Sequence, residues 1–449
     1  MYLGKLRDTA SNELKQPVSD VVIAVPGWFT EIQRRAILDA AAIASLNPLR
    51  IINDYTAVAF SYGITKVDLP EPDQPSRNVV FIDIGHSDYT VSIVAFNKGQ
   101  LVVRATAYDR HFGGRDLDYA LVSHFAEEFK TKYKIDVLSN PKGTFRLAAQ
   151  CERLKKVLSA NAEAPLSVES IMNDIDASSK LKREQFEGLI SDLLSKITVP
   201  LEEVIKEADI KLDEIHSVEL VGGTTRVPAI RQRIKQFFGK PTSNTLNADE
   251  AVARGATFSC AQLSPAFRLK DFSIIDIASY PIAIQWEHSI GDTEEDTSLV
   301  AFPRGNHTPS TKVLTFSRNA TFDLEAAYAD PSTIPGNINP WVGKVTVKNP
   351  SPTGELATVK VKARLNANCL LSFEGAYTQE EIEEEVPPAA EGEEPQKRKK
   401  ITKHNLATVP STIATEPSIV AILREQENSM HASDKLVADT EVSFSRRLV

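Results

Sequence analysis

With 449 residues the chain exceeds what one hydrophobic core normally supports, so at least two domains are expected. Apolar residues make up 42% and charged residues 25%, a soluble globular composition; the net charge of -9 argues against a general nucleic-acid binder, whose phosphate partner wants a basic face. Three widely spaced cysteines, Cys151, Cys260 and Cys369, suggest neither a disulfide framework nor a zinc knuckle and point to a reducing compartment.

No apolar stretch approaches the roughly 20 residues that span a bilayer, so no membrane role is expected. The opening MYLGKLRDTASNELKQ is amphipathic and polar, without the apolar run of a secretory signal, and the expected location is cytosolic or nuclear. The sequon at Asn319-Ala-Thr321 therefore reads as an unmodified surface turn.

In chain order, Asp20 to Pro26 is a short β-branched strand, and Thr30 is the candidate N-cap of a helix that buries Ile32, Ala36, Ile37 and Ile43. A strand over 49–53 and a helix over 55–62 complete a β-α-β-α opening, and 70–76 is a loop. Alternating FIDIG, TVSIVAF and LVVRATAYD form a hairpin and its return; HFGGRDLD then enters a helix over 116–134. Helices are expected over 143–158 and 182–208, followed by strand VELVG, helix RQRIKQFFG and the small-residue helix of ADEAVARGATFSCAQL. Residues 1–265 thus read as α/β.

From 266 to 415 the texture changes to short alternating runs parted by Pro, Gly, Asn and Asp, the signature of an antiparallel β-sandwich. Within it, 378–403 runs from an acidic block to a basic one and is expected to be a disordered insert, with Lys397 to Lys400 neutralising the Glu run or serving as a nuclear-localisation patch. Residues 416–449 have helical spacing and begin a helical segment.

Two stretches, 79–94 (VVFIDIGHSDYTVSIV) and 218–228 (VELVGGTTRVP), carry the chemistry. Each ends an apolar strand in glycine, leaving turn amides to face an anion. At the first, Asp83 reaches the turn at Gly85, where its carboxylate suits Mg²⁺ held through water; the plainer reading is a hairpin whose aspartate caps its own turn. At the second, Gly222, Gly223, Thr224 and Arg226 offer a phosphate or ribose seat and a guanidinium plane for a base. A third element, 151–159 (CERLKKVLS), sets Glu152, Lys155, Lys156 and Ser159 at i, i+3, i+4 and i+7, either a ligand face or an exposed face held by an i,i+3 ion pair.

In identity and order, AVPGWFTEIQRRAILDAAAIASLNPLRIINDYTAVAFSYGI, FIDIGHSDYTVSIV, FGGRDLD, CERLKKVLSANAEAPLSVESI, VELVGGTTRVPAI and LNADEAVARGA resemble the nucleotide-binding domain of the 70-kDa heat-shock protein superfamily. DIGHSDYT, HFGGRDLD, FKTKYKIDV, KKVLSANAEAPLSVESIMND and VGGTTRVP look most like its large 110-kDa cochaperone branch, and the likeness covers nearly the whole chain. The resemblance implies an actin-like ATPase fold for residues 1–265, a substrate-binding sandwich with the branch's acidic loop, and the start of a helical domain. It implies ATP or ADP with Mg²⁺ as ligands, with Gly85, His86, Ser87 and Asp88 at the β/γ-phosphates and Asp83 toward the metal. It sets Glu152, Lys155, Lys156 and Ser159 on the adenosine-facing helix, Gly222, Gly223, Thr224 and Arg226 at the adenosine turn, Asp249 beneath it, and Asp54 where hydrolysing relatives carry a glutamate.

Against that pattern, His86-Ser87-Asp88 replaces the Gly-Gly-Thr of hydrolysing relatives, placing a ring and a carboxylate near anionic oxygens; hydrolysis is expected to be weak or absent. Met1 falls at an internal position of the family pattern, so the first phosphate loop and most of the C-terminal helical domain are expected to be missing, by a broken gene model rather than a short isoform. The implied function is nucleotide exchange on a 70-kDa chaperone partner together with holding of unfolded polypeptide clients. An ATP-hydrolysing chaperone and a nucleotide-independent client binder are the alternatives.

Overall fold

A computed structural model describes residues 1–290, 295–336, 338–351, 354–386 and 396–447, with side chains given outside 380–401 and 441–447. The chain divides into two compact units: Asn53–Ile274, and a discontinuous one built from Met1–Ile52 and Ile275–Val449.

In the unit Asn53–Ile274, strands Gln100–Asp109, Tyr89–Asn97, Arg77–Ile84 and Ile215–Val221 lie side by side in that order. The first three pair antiparallel and the last joins parallel to Arg77–Ile84. All nine residues of Tyr89–Asn97 are buried, because helices cover both faces of the sheet; this is why these strands read as near-continuous apolar runs rather than alternating ones. On one face lies helix Asp54–Thr65, buried from Tyr55 to Gly63, with Tyr62 edge-on to Phe81 and tilted against Phe96. Helix Ala251–Leu263 presses on it so closely that a Cβ on Gly255 would stand 1.8 Å from the Ala57 carbonyl oxygen. On the other face the Tyr89 hydroxyl donates to the Ile197 carbonyl just before helix Thr198–Ala208. The core continues through Leu117, Leu121 and Phe125 of helix Gly114–Tyr133 and Leu147, Cys151 and Leu154 of helix Pro141–Ala160.

One local feature adds to the expected elements and another departs from them. Residues 163–182 form an antiparallel hairpin, Glu163–Met172 with Ile175–Lys182, that buries Ala164, Leu166, Val168, Ala177 and Leu181 on one face. The expected long helix over 182–208 is instead three, Arg183–Leu189, Ser191–Ser195 and Thr198–Ala208, stepping so that Phe186, Ile190, Leu194 and Ile197 all reach the core.

Besides the two-stranded sheet of Asp20–Val25 and Asn47–Asn53, the discontinuous unit holds two larger antiparallel sheets. One orders Ser298–Phe302, Ile282–Trp286, Phe322–Tyr328, Trp341–Val347 and Thr408–Thr412; the other orders Ser310–Arg318, Ala357–Leu365, Leu371–Val386 and Gln396–Leu406. Leu324, Ala326, Val345 and Val347 of the first share one core with Phe316, Val359, Val361 and Ala363 of the second. The alternation seen in 266–415 is therefore the alternation of inward and outward positions on these strands.

Residues 1–52, expected to belong to the nucleotide domain, group instead with these sheets, and the later boundary falls at Ile274 rather than 265. The tie is polar. Helix Glu31–Ile43, closed by a Thr30–Gln33 capping box, buries Glu31, whose backbone amide donates to the Tyr328 hydroxyl at 2.7 Å. The Glu31 carboxylate accepts from the Leu371 amide at 3.1 Å and pairs with Arg35 at 2.6 Å; burial raises its pKa despite that arginine. The opening Tyr2–Leu14 is also helical.

The expectation of disorder over 378–403 is corrected in part: Gln379 to Val386 and Gln396 to Lys403 are paired strand, with Glu383, Glu384 and Glu385 opposite Lys399, Arg398 and Lys397 in register. Composition argued from each charged block alone, whereas the register brings opposite signs across from each other. Residues 387–395 of that expected insert lie outside the described residues. Beyond it, helix Pro417–Arg447 runs as expected, and Arg424 Nε donates to the Ala42 carbonyl at 2.9 Å.

Candidate functional site

Every candidate residue read from the sequence lies in the unit Asn53–Ile274. Asp83 and Val221 are register partners on the parallel strands, so the turn that follows each strand leaves the sheet beside the other. Gly222 has φ +81°, and a Cβ there would stand 2.3 Å from the Ile84 carbonyl oxygen and 2.5 Å from Asp83 Oδ1. Only glycine fits, on both counts. The Thr224 hydroxyl donates to the Gly85 carbonyl at 2.7 Å, which stitches the two turns together, and the Thr225 hydroxyl closes the second turn on the Gly222 carbonyl at 2.7 Å.

The first turn closes on itself through the Gly85 amide, which donates to the Asp88 carbonyl at 3.1 Å. Burial, then the nearby Asp88 carboxylate, push the Asp83 carboxyl up to about 7. Asp54, whose Oδ1 accepts from the Tyr55 amide at 2.7 Å, lines with Asp83 and Ser92 a single cavity of about 10 Å³, room for about one water. His86 is exposed, and the Ser87 hydroxyl donates to Asp88 Oδ1 at 3.3 Å.

The face of helix Pro141–Ala160 divides. Glu152 and Lys156 pair at 2.6 Å on the exposed side, an i,i+4 contact rather than i,i+3. Lys155 turns inward: its Nζ donates to Asp118 Oδ2 at 2.8 Å and to the Gly114 carbonyl at 3.0 Å. Ser159 donates to the Lys155 carbonyl. Arg226 and Asp249 form an ion pair at 2.7 Å, each more than half exposed, with Gly223 beside them.

Sequence reasoning passed over Gly113, Gly114 and Asp118. The Gly114 and Arg115 amides, at the start of helix Gly114–Tyr133, donate to the Gly85 and His86 carbonyls at 2.9 Å each. A Cβ on Gly113 would stand 2.4 Å from the His86 carbonyl oxygen, and one on Gly114 2.7 Å from Thr224 Oγ1. The signal was present as the glycine pair in HFGGRDLD, which marks a helix start pressed against another backbone.

Compared with known proteins, the chain matches over residues 1–444 the family model described as Hsp70 protein. The chain belongs to the Hsp70 family. Heat shock protein hsp88 of Neurospora crassa is 48% identical over 454 residues, covering 98% of this Hsp70-family chain and 64% of that protein. Heat shock protein homologs of Lachancea kluyveri and Saccharomyces cerevisiae are 47% and 46% identical, each match covering 98% of this chain and 65% of the relative. The Hsp70-family chain thus spans a little under two thirds of the length of the curated relatives it matches. The family read from the motifs is the family found, and its mixed α/β content with several sheets agrees with the architecture above.

A second concave region lies in the discontinuous unit: a cleft of about 340 Å³ lined by Glu287, His288, Arg318, Asn319, Phe322 and Asp323. Arg318 is buried there between the rings of Phe316 and Phe322, 5.4 and 5.3 Å from their centroids. Among the described residues no helix is long and apolar enough to cross a membrane, and no cluster of His, Cys, Asp and Glu forms a metal cage.

Proposed function

We propose that this chain is an ATP-binding cochaperone of the large 110-kDa heat-shock type, promoting nucleotide exchange on a 70-kDa partner and holding unfolded clients. The observation that carries the reading is the meeting of two strand-end turns, at Asp83–Asp88 and Gly222–Arg226, where Gly222 and the neighbouring Gly113 and Gly114 admit no side chain, in an Hsp70-family chain. A Cβ-free cradle beside a carboxylate suits a nucleotide with its divalent ion. Asp83 is the residue to hold Mg²⁺ through water; His86, Ser87 and Asp88 face the β/γ-phosphates; Gly222, Gly223, Thr224 and Arg226 seat the adenosine, with Asp249 below. Glu152 offers a carboxylate to the ribose, Lys156 a cation and Ser159 a hydroxyl to the base, while Lys155 acts from behind.

When bound, the metal neutralises phosphate charge. This chain's own groups do the rest, and they favour binding over turnover. Asp88 sets a second carboxylate beside Asp83, which opposes charge building on a γ-phosphate. ATP then acts as a structural ligand whose binding energy selects one conformation. The two antiparallel sheets are read as a client-holding sandwich, with the Arg318 cleft as its concave face.

The test is calorimetry of ATP and ADP with Mg²⁺, followed by exchange assays on a 70-kDa chaperone with ATP and with a nonhydrolysable analogue. Full exchange with the analogue is the expected result. A requirement for hydrolysis would transfer the chain to the ATP-hydrolysing chaperones, and client holding without any nucleotide binding would leave only the sheets' role. Cytosolic or nuclear residence is proposed with it, to be checked by imaging the tagged chain.

A further inference from the structure

Four segments meet at one buried polar knot. The Gly85 carbonyl, in the phosphate turn, accepts from the Gly114 amide at 2.9 Å and from the Thr224 hydroxyl at 2.7 Å. The Gly114 carbonyl in turn accepts from Lys155 Nζ at 3.0 Å, and Asp118 Oδ2 holds the same ammonium at 2.8 Å. The Lys155 and Asp118 side chains are 10% and 12% exposed, so this is a desolvated ion pair rather than a surface one. Asp118 Oδ1 is buried and has no hydrogen-bond partner among the described residues. A half-satisfied buried carboxylate is a poor choice for stability alone, since a well-packed apolar pair of similar volume often does as well or better. It is a good choice for fixing one ammonium at one point.

We propose that Asp118 is a positioning residue for the phosphate turn: by anchoring Lys155 it fastens the turn 85–88, through the start of helix Gly114–Tyr133, to helix Pro141–Ala160. The inference deepens the nucleotide-binding reading and rests on it, because the turn matters only where a phosphate is to be met. Its content is regulatory in form. A contact made on the adenosine helix is felt at the phosphate turn, since Lys155 belongs to the first and grips the carbonyl of the residue whose amide holds the second. Gly114 is the joint, and a methyl group there would stand 2.7 Å from Thr224 Oγ1 and 3.2 Å from Lys155 Nζ.

The experiment uses the full chain carrying Asp118→Asn, with the double variant Asp118→Leu, Lys155→Met as a version that leaves no buried charge unpaired. Two readouts are taken: amide hydrogen exchange at Gly114 and Arg115 without ligand, and calorimetric affinities for adenosine, ADP and ATP with Mg²⁺. In both variants the two amides should exchange about tenfold faster or more, with the rest of the sheet unchanged. The ratio of ATP to adenosine affinity should fall about tenfold, which a general loss of stability would not produce. Unchanged amide protection, or equal weakening of all three ligands, would overturn the proposal. If the unaltered chain binds no nucleotide, the functional reading falls, and the exchange result alone decides the wiring: local acceleration upholds it and no change refutes it.

Discussion

Asp83 sits at the strand end where burial and Asp88 hold its proton up to about pH 7, whereas an unfolded chain releases it near 3.8. The folded form therefore binds the extra proton across that window, so the stability this group confers is present at its lower end and is lost as pH rises through about 7. Asp83→Asn should melt several degrees above the unaltered metal-free chain at pH 8, with the gap narrowing as pH falls below about 7 and closing near 3.8; parallel melting curves would contradict the assignment. Gly222 gives a second forecast. With φ +81° and no room for a methyl, Gly222→Ala should cost about 2 kcal/mol or more and abolish nucleotide binding, read by denaturant melts and calorimetry. Both glycine turns were legible in the sequence because a glycine that closes an apolar strand marks a sharp turn where the backbone must come close to something else. The Lys155–Asp118 pair was not, since the spacing of Glu152, Lys155, Lys156 and Ser159 gives one helical face without saying which member of it turns inward.

Among the elements, helices were legible by their apolar spacing, and local chemistry fixes their ends. Thr30 and Gln33 close a capping box, and Asn140 accepts from the Lys142 and Gly143 amides at the start of its helix. Hairpin Glu163–Lys182 escaped notice because Pro165 interrupts an alternation that only the packed core makes plain. The far half of strand Leu371–Val386, beyond Tyr377, escaped for a different reason, its partner being a second charged run of opposite sign. Replacing Lys397, Arg398 and Lys399 with glutamate should put like charges across from Glu383–Glu385 and strip amide protection from 380–386; unchanged protection would show that register owes nothing to charge. The tight crossing of helices Asp54–Thr65 and Ala251–Leu263 makes a harsher test: Gly255→Ala, with its Cβ 1.8 Å from the Ala57 oxygen, should cost about 3 kcal/mol by forcing the helices apart.

At the scale of the whole molecule, each unit owns a core, one around Tyr89, Phe125 and Leu154, the other around Leu324, Val345 and Val361. Calorimetry should resolve two transitions, and ATP with Mg²⁺ should raise only the one that Asp83→Asn also moves, by about 2.7 kcal/mol at a hundredfold excess over Kd. A single transition that both ligand and variant shift would mean that the cores melt as one. The discontinuity of one unit has a further consequence, for the order of events on the ribosome. Its first portion, Met1–Ile52, emerges before Asn53–Ile274, and the sheets that bury Glu31 emerge after it. At bacterial or eukaryotic elongation rates the nascent opening segment waits roughly 10 to 40 s for its partners, while the interposed unit is free to finish. Throughout that interval Glu31 goes without the Leu371 amide and Tyr328 hydroxyl that complete its burial.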